Sequence, residues 1–521
     1  MSVAAASAQE PAFQDHGTHD LKGRTIRGAL ASGGAQAVGF VLRTGSMIVM
    51  SRLLFPKDFG LFGMVIAFTG FLGLFRDFGL SMASVTRASV TKDQLSTLFW
   101  LNVAVGGVLA GICAAAGPFL VRFYDEPRLL SITLAVGVGF LFLGAGAQHR
   151  AILQRGMRFG TLGVIDTVAL ILGIVSGITM ARLGLGYWAL VVMTVSPQVA
   201  SAVGAWLATR WIPGKPKRNT GVRSMLWYGG SVTFNGVIVY MAYNADKILL
   251  GRYWGAEALG IYGRAYQLIN LPIDNLTSTV SQVVFPALAR LQNDPVRLRS
   301  YFVQGYSFFF ALVMPLTVGC AMFPEDIVLV FLGSKWLAAA SIFRRLAPTM
   351  LIFALINPLG WMLMATGRVS RSVKMAVLIA PTVIAAYAIG LRYGPQGVAL
   401  GFSIAMLVLA GPLVVWATHG TSISFMDVVK AVTPASLSIV VGAGVVLAVS
   451  RYTQSIEPVF LRLIAESALL FGTYWVILLF ALNQKSAYMQ IFGELRFRRP
   501  RVKGIPETDA GELVKNVSLS A

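Results

Sequence analysis

The stretch RLLFPKDFGLFG at residues 52–63 returns as RYWGAEALGIYG at residues 252–263. Arg52 corresponds to Arg252, Gly60 to Gly260, Phe62 to Tyr262 and Gly63 to Gly263, always at an offset of 200 residues. An apolar segment of helix length stands on each side of both copies. A repeat at fixed offset reads as duplication. Here the duplicated unit is a helical membrane segment, and its two copies are expected to face each other.

Composition agrees. Of 521 residues, 56% are hydrophobic and only 12% charged, with a mean hydropathy of +0.70. Soluble domains carry about 25% charged residues, and a water-soluble chain of this length has no interior large enough for so much apolar surface. Apolar segments of roughly 20 residues, enough for a helix to cross the hydrocarbon core, recur along the chain. In the first half they are 26–50, 60–84, 97–121, 129–148, 160–181 and 187–209. In the second half they are 226–250, 258–285, 302–323, 345–365, 375–392, 397–417, 431–450 and 461–482. The fold class expected is an all-α polytopic membrane protein of about 14 transmembrane helices, with two parallel six-helix repeats plus two C-terminal helices.

The expected segments follow. A cytoplasmic tail, 1–25, lacks the charged n-region and apolar core of a signal peptide. An N-terminal six-helix lobe spans 26–210, and a cytoplasmic basic linker, 211–225, contains WIPGKPKRNTGVR. A C-terminal six-helix lobe covers 226–420, two additional transmembrane helices 421–482 and a basic cytoplasmic tail 483–521. An even number of spans precedes the linker. Both repeats then enter the membrane in one direction, related by an axis along the membrane normal.

The net charge is +21. In a soluble chain that would point to nucleic acid. Here the basic residues sit in short connectors, and more than half of the 43 Lys and Arg fall on the side holding both termini. The positive-inside rule then places both termini in the cytoplasm, and no nucleic-acid partner is expected.

Cys113 and Cys320 lie in apolar segments and read as small buried hydrophobes. His16 and His19 fall in the polar tail, and His149 and His419 read as isolated residues in connectors. The sequence has no Cys/His cluster with metal-ligand spacing and no phosphate-binding Gly-rich loop followed by Lys. The longest outer connector, about 324–344, is too small for a catalytic domain. No metal, no cofactor and no enzyme activity are expected, and transport is what remains.

Cations inside the spans carry the site. A charge at the bilayer centre costs at least about 2.5–3.5 kcal/mol, so such residues usually face a wet cavity or a partner. After the offset is removed, Arg43 and Lys247 differ by about one helical turn and share equivalent helix faces. Asp246 is too close in sequence to Lys247 to share that face. Arg76 and Asp77 interrupt the second helix, and Asp274 interrupts its counterpart beside Pro272, which is expected to kink it. Arg264 follows Gly263. The candidate cationic cavity therefore comprises Arg43, Arg76, Lys247 and Arg264, with Asp77, Asp246 and Asp274 as intramembrane acids. Arg43 also reads as a snorkelling side chain and Arg76 as locally paired. Arg344 and Arg345 open the tenth span and read as snorkelling. Asp166 is a weaker candidate, and Gln36, Asn235 and Asn244 read equally as interhelical hydrogen-bonding groups.

Residues 249–292, LLGRYWGAEALGIYGRAYQLINLPIDNLTSTVSQVVFPALARLQ, resemble a signature of bacterial polysaccharide flippases. ILQRGMRF (152–159) and RLGLGYWALV (182–191) add to the resemblance, which covers about residues 25–480. The chain is similar to the Wzx-type, colanic-acid-exporter-like branch of the multidrug/oligosaccharidyl-lipid/polysaccharide exporter superfamily. The resemblance implies two six-helix lobes around a central cavity. It implies alternating access that moves an undecaprenyl-diphosphate-linked oligosaccharide, an exopolysaccharide or lipopolysaccharide repeat unit, across the bacterial inner membrane. It further implies coupling to an ion gradient, for which Asp77, Asp246 and Asp274 are the candidates. Expected partners are the lipid-linked oligosaccharide, membrane lipids, and a polysaccharide polymerase and co-polymerase. A sister branch exports organic cations as multidrug antiporters. That activity favours an acidic cleft, and here six intramembrane cations stand against Asp77, Asp166, Asp246 and Asp274.

Overall fold

A computed structural model of the chain describes residues 21–76, 91–217, 223–453, 455–486 and 488–489, without side chains for 21–33, 35 and 223–239. Its extended elements are helices: α1 (Leu21–Leu53), α2 (Pro56–Gly73), α3 (Lys92–Tyr124), α4 (Leu129–Arg155), α5 (Phe159–Arg182) and α6 (Trp188–Thr209). They continue as α7 (Arg223–Arg290), α8 (Pro295–Met322), α9 (Pro324–Phe331), α10 (Ala338–Ala365), α11 (Val369–Gly390), α12 (Gly394–Thr418), α13 (Phe425–Thr453) and α14 (Val459–Val476). The boundaries have local causes. Pro56 opens α2, where its missing N–H costs nothing. Thr91 and Gln94 exchange reciprocal side-chain bonds to backbone N–H groups at the start of α3.

α7 consists of two arms. Gly255, at φ 77°, reverses the chain between them, a backbone state that L-residues with a Cβ rarely adopt. Asp246 meets Tyr262 and Lys247 lies over Tyr266, so the arms run back along each other. The segments 226–250 and 258–285 form this hairpin. Beyond Gly255 the second arm stays helical through Pro272, so the expected interruption at LPIDNL is absent.

One face of the bundle, here called the rim, gathers the breaks after α1, α3, α5 and α11, the Gly255 turn and the short element α9. Asp58 lies against Gly186, Tyr124 against Gly251 and Trp254 against Gly394. The Trp336 indole donates to the Ser51 carbonyl at 2.7 Å, and Arg52 donates to the Val330 carbonyl at 2.8 Å. The two repeated stretches pack on each other here, through Gly60 and Gly260.

Three expectations change. The 324–344 connector contains α9 and a 3-10 turn at Ser334–Trp336, and α10 begins at Ala338. Arg344 and Arg345 therefore stand inside α10. His149 lies within α4, fully buried, with Nδ1 2.7 Å from the Thr209 hydroxyl and its ring 4.3 Å from that of Trp206.

The chain is an all-α, multi-pass membrane protein. Among the described residues, nine helical stretches are long and apolar enough to span a bilayer, the α11–α12 hairpin being one of them. α1, α2 and α7 are not among the nine. Polar residues of α1 and α7, among them Gln36, Arg43, Lys247 and Gln267, face a central cavity.

Candidate functional site

α1, α2, α5, α6 and both arms of α7 enclose a cavity of about 1190 Å³. Arg43, Lys247 and Arg264 all line it. Lys247 precedes Gly255 by eight residues, Arg264 follows it by nine, and Arg43 precedes the end of α1 by ten. At 1.5 Å of rise per residue, all three lie about 12–15 Å from the rim. Three cations from three helical segments thus share one depth.

Neutral groups hold Lys247 and Arg264. Lys247 Nζ donates to Asn244 Oδ1 at 2.8 Å and stands 5.2 Å from the centre of the Tyr266 ring. The Arg264 guanidinium lies 3.6 Å from the centre of the Phe59 ring and donates to Gln267 Oε1 at 2.6 Å. The ring face attracts a cation without neutralising it. Among the described residues, none of the three has a carboxylate at salt-bridge distance.

The acids are arranged differently. Asp166 lines the cavity, but Arg150 grips both its oxygens at 2.6 and 3.0 Å, and the same guanidinium donates to the Ser201 hydroxyl at 2.8 Å. Asp246 is fully buried behind the wall, accepting from the Tyr262 hydroxyl at 2.8 Å and from the Lys247 backbone N–H at 2.7 Å. Asp274 does line the cavity. It carries no ion pair among the described residues. The wall is left net positive. Arg76 is exposed in the turn after α2 and is not among the lining residues. Asp77 and the side chain of Asn235 lie outside the described residues.

Sequence reasoning missed the polar stripe of the second α7 arm. Arg264, Gln267, Asn270, Asp274, Ser278 and Gln282 follow at steps of three or four and all line the cavity. That spacing puts them on one helix face. From Arg264 to Gln282 the stripe runs about 27 Å. The signal was present as polar residues at helical period in a span-length segment. Gln36 and Asn244, read as interhelical groups, also line the cavity.

A family model described as "Polysaccharide biosynthesis protein" matches residues 49–341, more than half of the chain. The chain belongs to the polysaccharide biosynthesis protein family. The matched region holds both repeated stretches, Lys247, Arg264 and Asp274. Among this family member's relatives is the lipopolysaccharide biosynthesis protein WzxC of Escherichia coli (strain K12), 26% identical over 74% of this chain and 80% of that protein. The teichuronic acid biosynthesis protein TuaB of Bacillus subtilis (strain 168) is 29% identical over 58% of this chain and 62% of its own length. The fold is shared with the lipid II flippase MurJ in an inward closed conformation, at a TM-score of 0.68 and 14% identity, covering 90% of this chain and 99% of that one. It is shared less closely with an inward-facing multidrug resistance MATE family transporter, at a TM-score of 0.57 and 14% identity, covering 75% and 94%.

Proposed function

We propose that this family member is a flippase that carries a diphosphate-linked, prenyl-anchored oligosaccharide across the bacterial inner membrane. The observation that carries the proposal is that three cations, Arg43, Lys247 and Arg264, line one cavity and have no carboxylate at salt-bridge distance among the described residues. A diphosphate is the counter-ion such a wall lacks. Arg engages phosphate through its planar fork and Lys as a point charge. The stripe from Gln267 to Gln282 offers donors and acceptors to sugar hydroxyls, while the prenyl tail stays in lipid. The relatives named for lipopolysaccharide and teichuronic acid biosynthesis support a glycan cargo.

Both termini are assigned to the cytoplasm on the distribution of basic residues. The rim is then periplasmic, and the contacts of Gly60, Gly260, Trp336 and Arg52 close the cavity on that side. Alternating access parts these contacts while the cation level stays fixed to its helices. Asp274 is the acid assigned to ion coupling, since it lines the cavity. Polymerase and co-polymerase are the partners assigned to receive the carried unit. A positive wall disfavours organic cations, which argues against the multidrug alternative.

The test is the Arg43→Glu, Lys247→Glu double variant in a strain that depends on this chain for surface polysaccharide. Export should be lost while the protein remains in the membrane at normal abundance. Full export by that variant overturns the proposal.

A further inference from the structure

A second concavity lies away from the central cavity. α11 and α12 cross closely at Gly390, Gly397 and Gly401, where backbone meets backbone. Beside this crossing runs a groove of about 830 Å³ whose walls include Ala385, Ile389, Tyr393, Leu400 and Ile404. Ile389 and Tyr393 are 69% and 76% exposed, so the groove faces lipid rather than protein. From Gln396 near the rim to Ala405 it descends nine residues, about 14 Å.

One cation opens onto this apolar groove. Arg345 of α10 lines it. Its Nη1 donates to the Ser341 carbonyl at 2.9 Å, one turn nearer the rim, so the side chain reaches up toward the membrane surface. The Ser403 hydroxyl donates to the Arg345 carbonyl at 2.5 Å and ties this part of α10 to α12. The neighbouring Arg344 pairs with Glu325. Arg345 pairs with no carboxylate among the described residues. With one hydrogen bond to the Ser341 carbonyl and no carboxylate partner among the described residues, this guanidinium keeps most of its N–H donors for an anion.

We propose that this groove binds one anionic phospholipid from the leaflet on the rim side, its phosphate on Arg345 and one acyl chain along α11 and α12. The guanidinium supplies a fork for the phosphate, and the groove beneath supplies apolar wall. The lipid is a site-bound counter-ion, independent of the cargo cavity.

The test is native mass spectrometry of the full chain released from detergent micelles containing phosphatidylglycerol or phosphatidylethanolamine. One phosphatidylglycerol should persist on the wild type and on Arg344→Ala. Arg345→Ala should lower its occupancy by about tenfold through loss of the phosphate contact. Ala385→Trp, an exposed position that fills the groove and leaves the guanidinium in place, should lower it as well. Equal occupancy in Arg345→Ala overturns the proposal. So does equal loss in Arg344→Ala, equal retention of phosphatidylethanolamine, or displacement by a prenyl phosphate, which would make the groove a cargo-tail site. The Arg43→Glu, Lys247→Glu variant should retain the lipid, so failure of the transport proposal and failure of this one are read separately.

Discussion

Gly60 lies so close to Ala256 that a Cβ on the glycine would sit 1.6 Å from the Ala256 carbonyl oxygen. The reciprocal contact exists: a Cβ on Gly260 would sit 1.9 Å from the Pro56 carbonyl oxygen. Positions 56 and 60 meet positions 260 and 256, so the duplicated stretches form a two-fold contact with themselves. The isologous logic of a homodimer is here contained in one chain.

The obstacle at Gly60 is backbone, which cannot rotate away. Overpacking of this kind costs about 1–3 kcal/mol. Gly60→Ala should lower the melting temperature of the purified protein and reduce export. Gly263 belongs to the same motif but meets nothing within 4 Å. Gly263→Ala should melt like the wild type in the same fluorescence-detected assay.

Phe59 stands between the cavity and the rim, with Arg264 3.6 Å from its ring centre and Trp336 in edge contact at 5.3 Å. A cation–π contact contributes about 0.5–2 kcal/mol. Arg264→Lys should keep most export, whereas Arg264→Gln should lose about tenfold or more, as removal of a charge-assisted contact does. Phe59→Leu should fall between them. Initial export rates at matched protein abundance would decide, and equal rates for the Lys and Gln variants would count against a role for the charge.

Asp246 and Asp274 should separate cleanly. Tyr262→Phe removes the hydroxyl that Asp246 accepts from, and a buried acceptor left short costs about 1–3 kcal/mol. That variant should melt earlier. Asp274→Asn should melt like the wild type and change the dependence of transport on the ion gradient, measured in proteoliposomes. An unchanged gradient dependence would remove Asp274 from coupling.

Arg150 keeps Asp166 from adding a negative charge to the cavity wall. Arg150→Ala should reduce export several-fold, on the order of 1 kcal/mol of lost stabilisation of the bound anion. Removing both charges in Arg150→Ala, Asp166→Ala should restore most of it. A double-mutant cycle on export rate measures the coupling, and additive losses would show that the pair does not act on the cargo.

Much of the cavity was legible because a charge in a membrane span needs a reason. Arg43, Lys247, Arg264 and Asp274 stood out from apolar surroundings and do line one space. Asp246 stood out equally, yet it points into the packing between the α7 arms, because its neighbour Lys247 takes the cavity face. Adjacent residues on a helix differ by about 100°, and which of the two faces inward depends on where the other arm lies. Gln267, Ser278 and Gln282 were overlooked because neutral polar residues stand out less than charges. His149 was misplaced because α4 extends to Arg155, past the apolar run that marked its span.

By itself the sequence determined the class, the duplication and the family. Those follow from composition, from a repeat at constant offset and from motif spacing, all of which are properties of chain order. Only the tertiary structure decided that the two repeated stretches touch, that Arg43, Lys247 and Arg264 line one cavity, and that Arg150 pairs with Asp166 while Asp274 carries no ion pair among the described residues. Each of these is a distance between segments far apart in sequence. Helix packing sets such distances, and no local pattern encodes them.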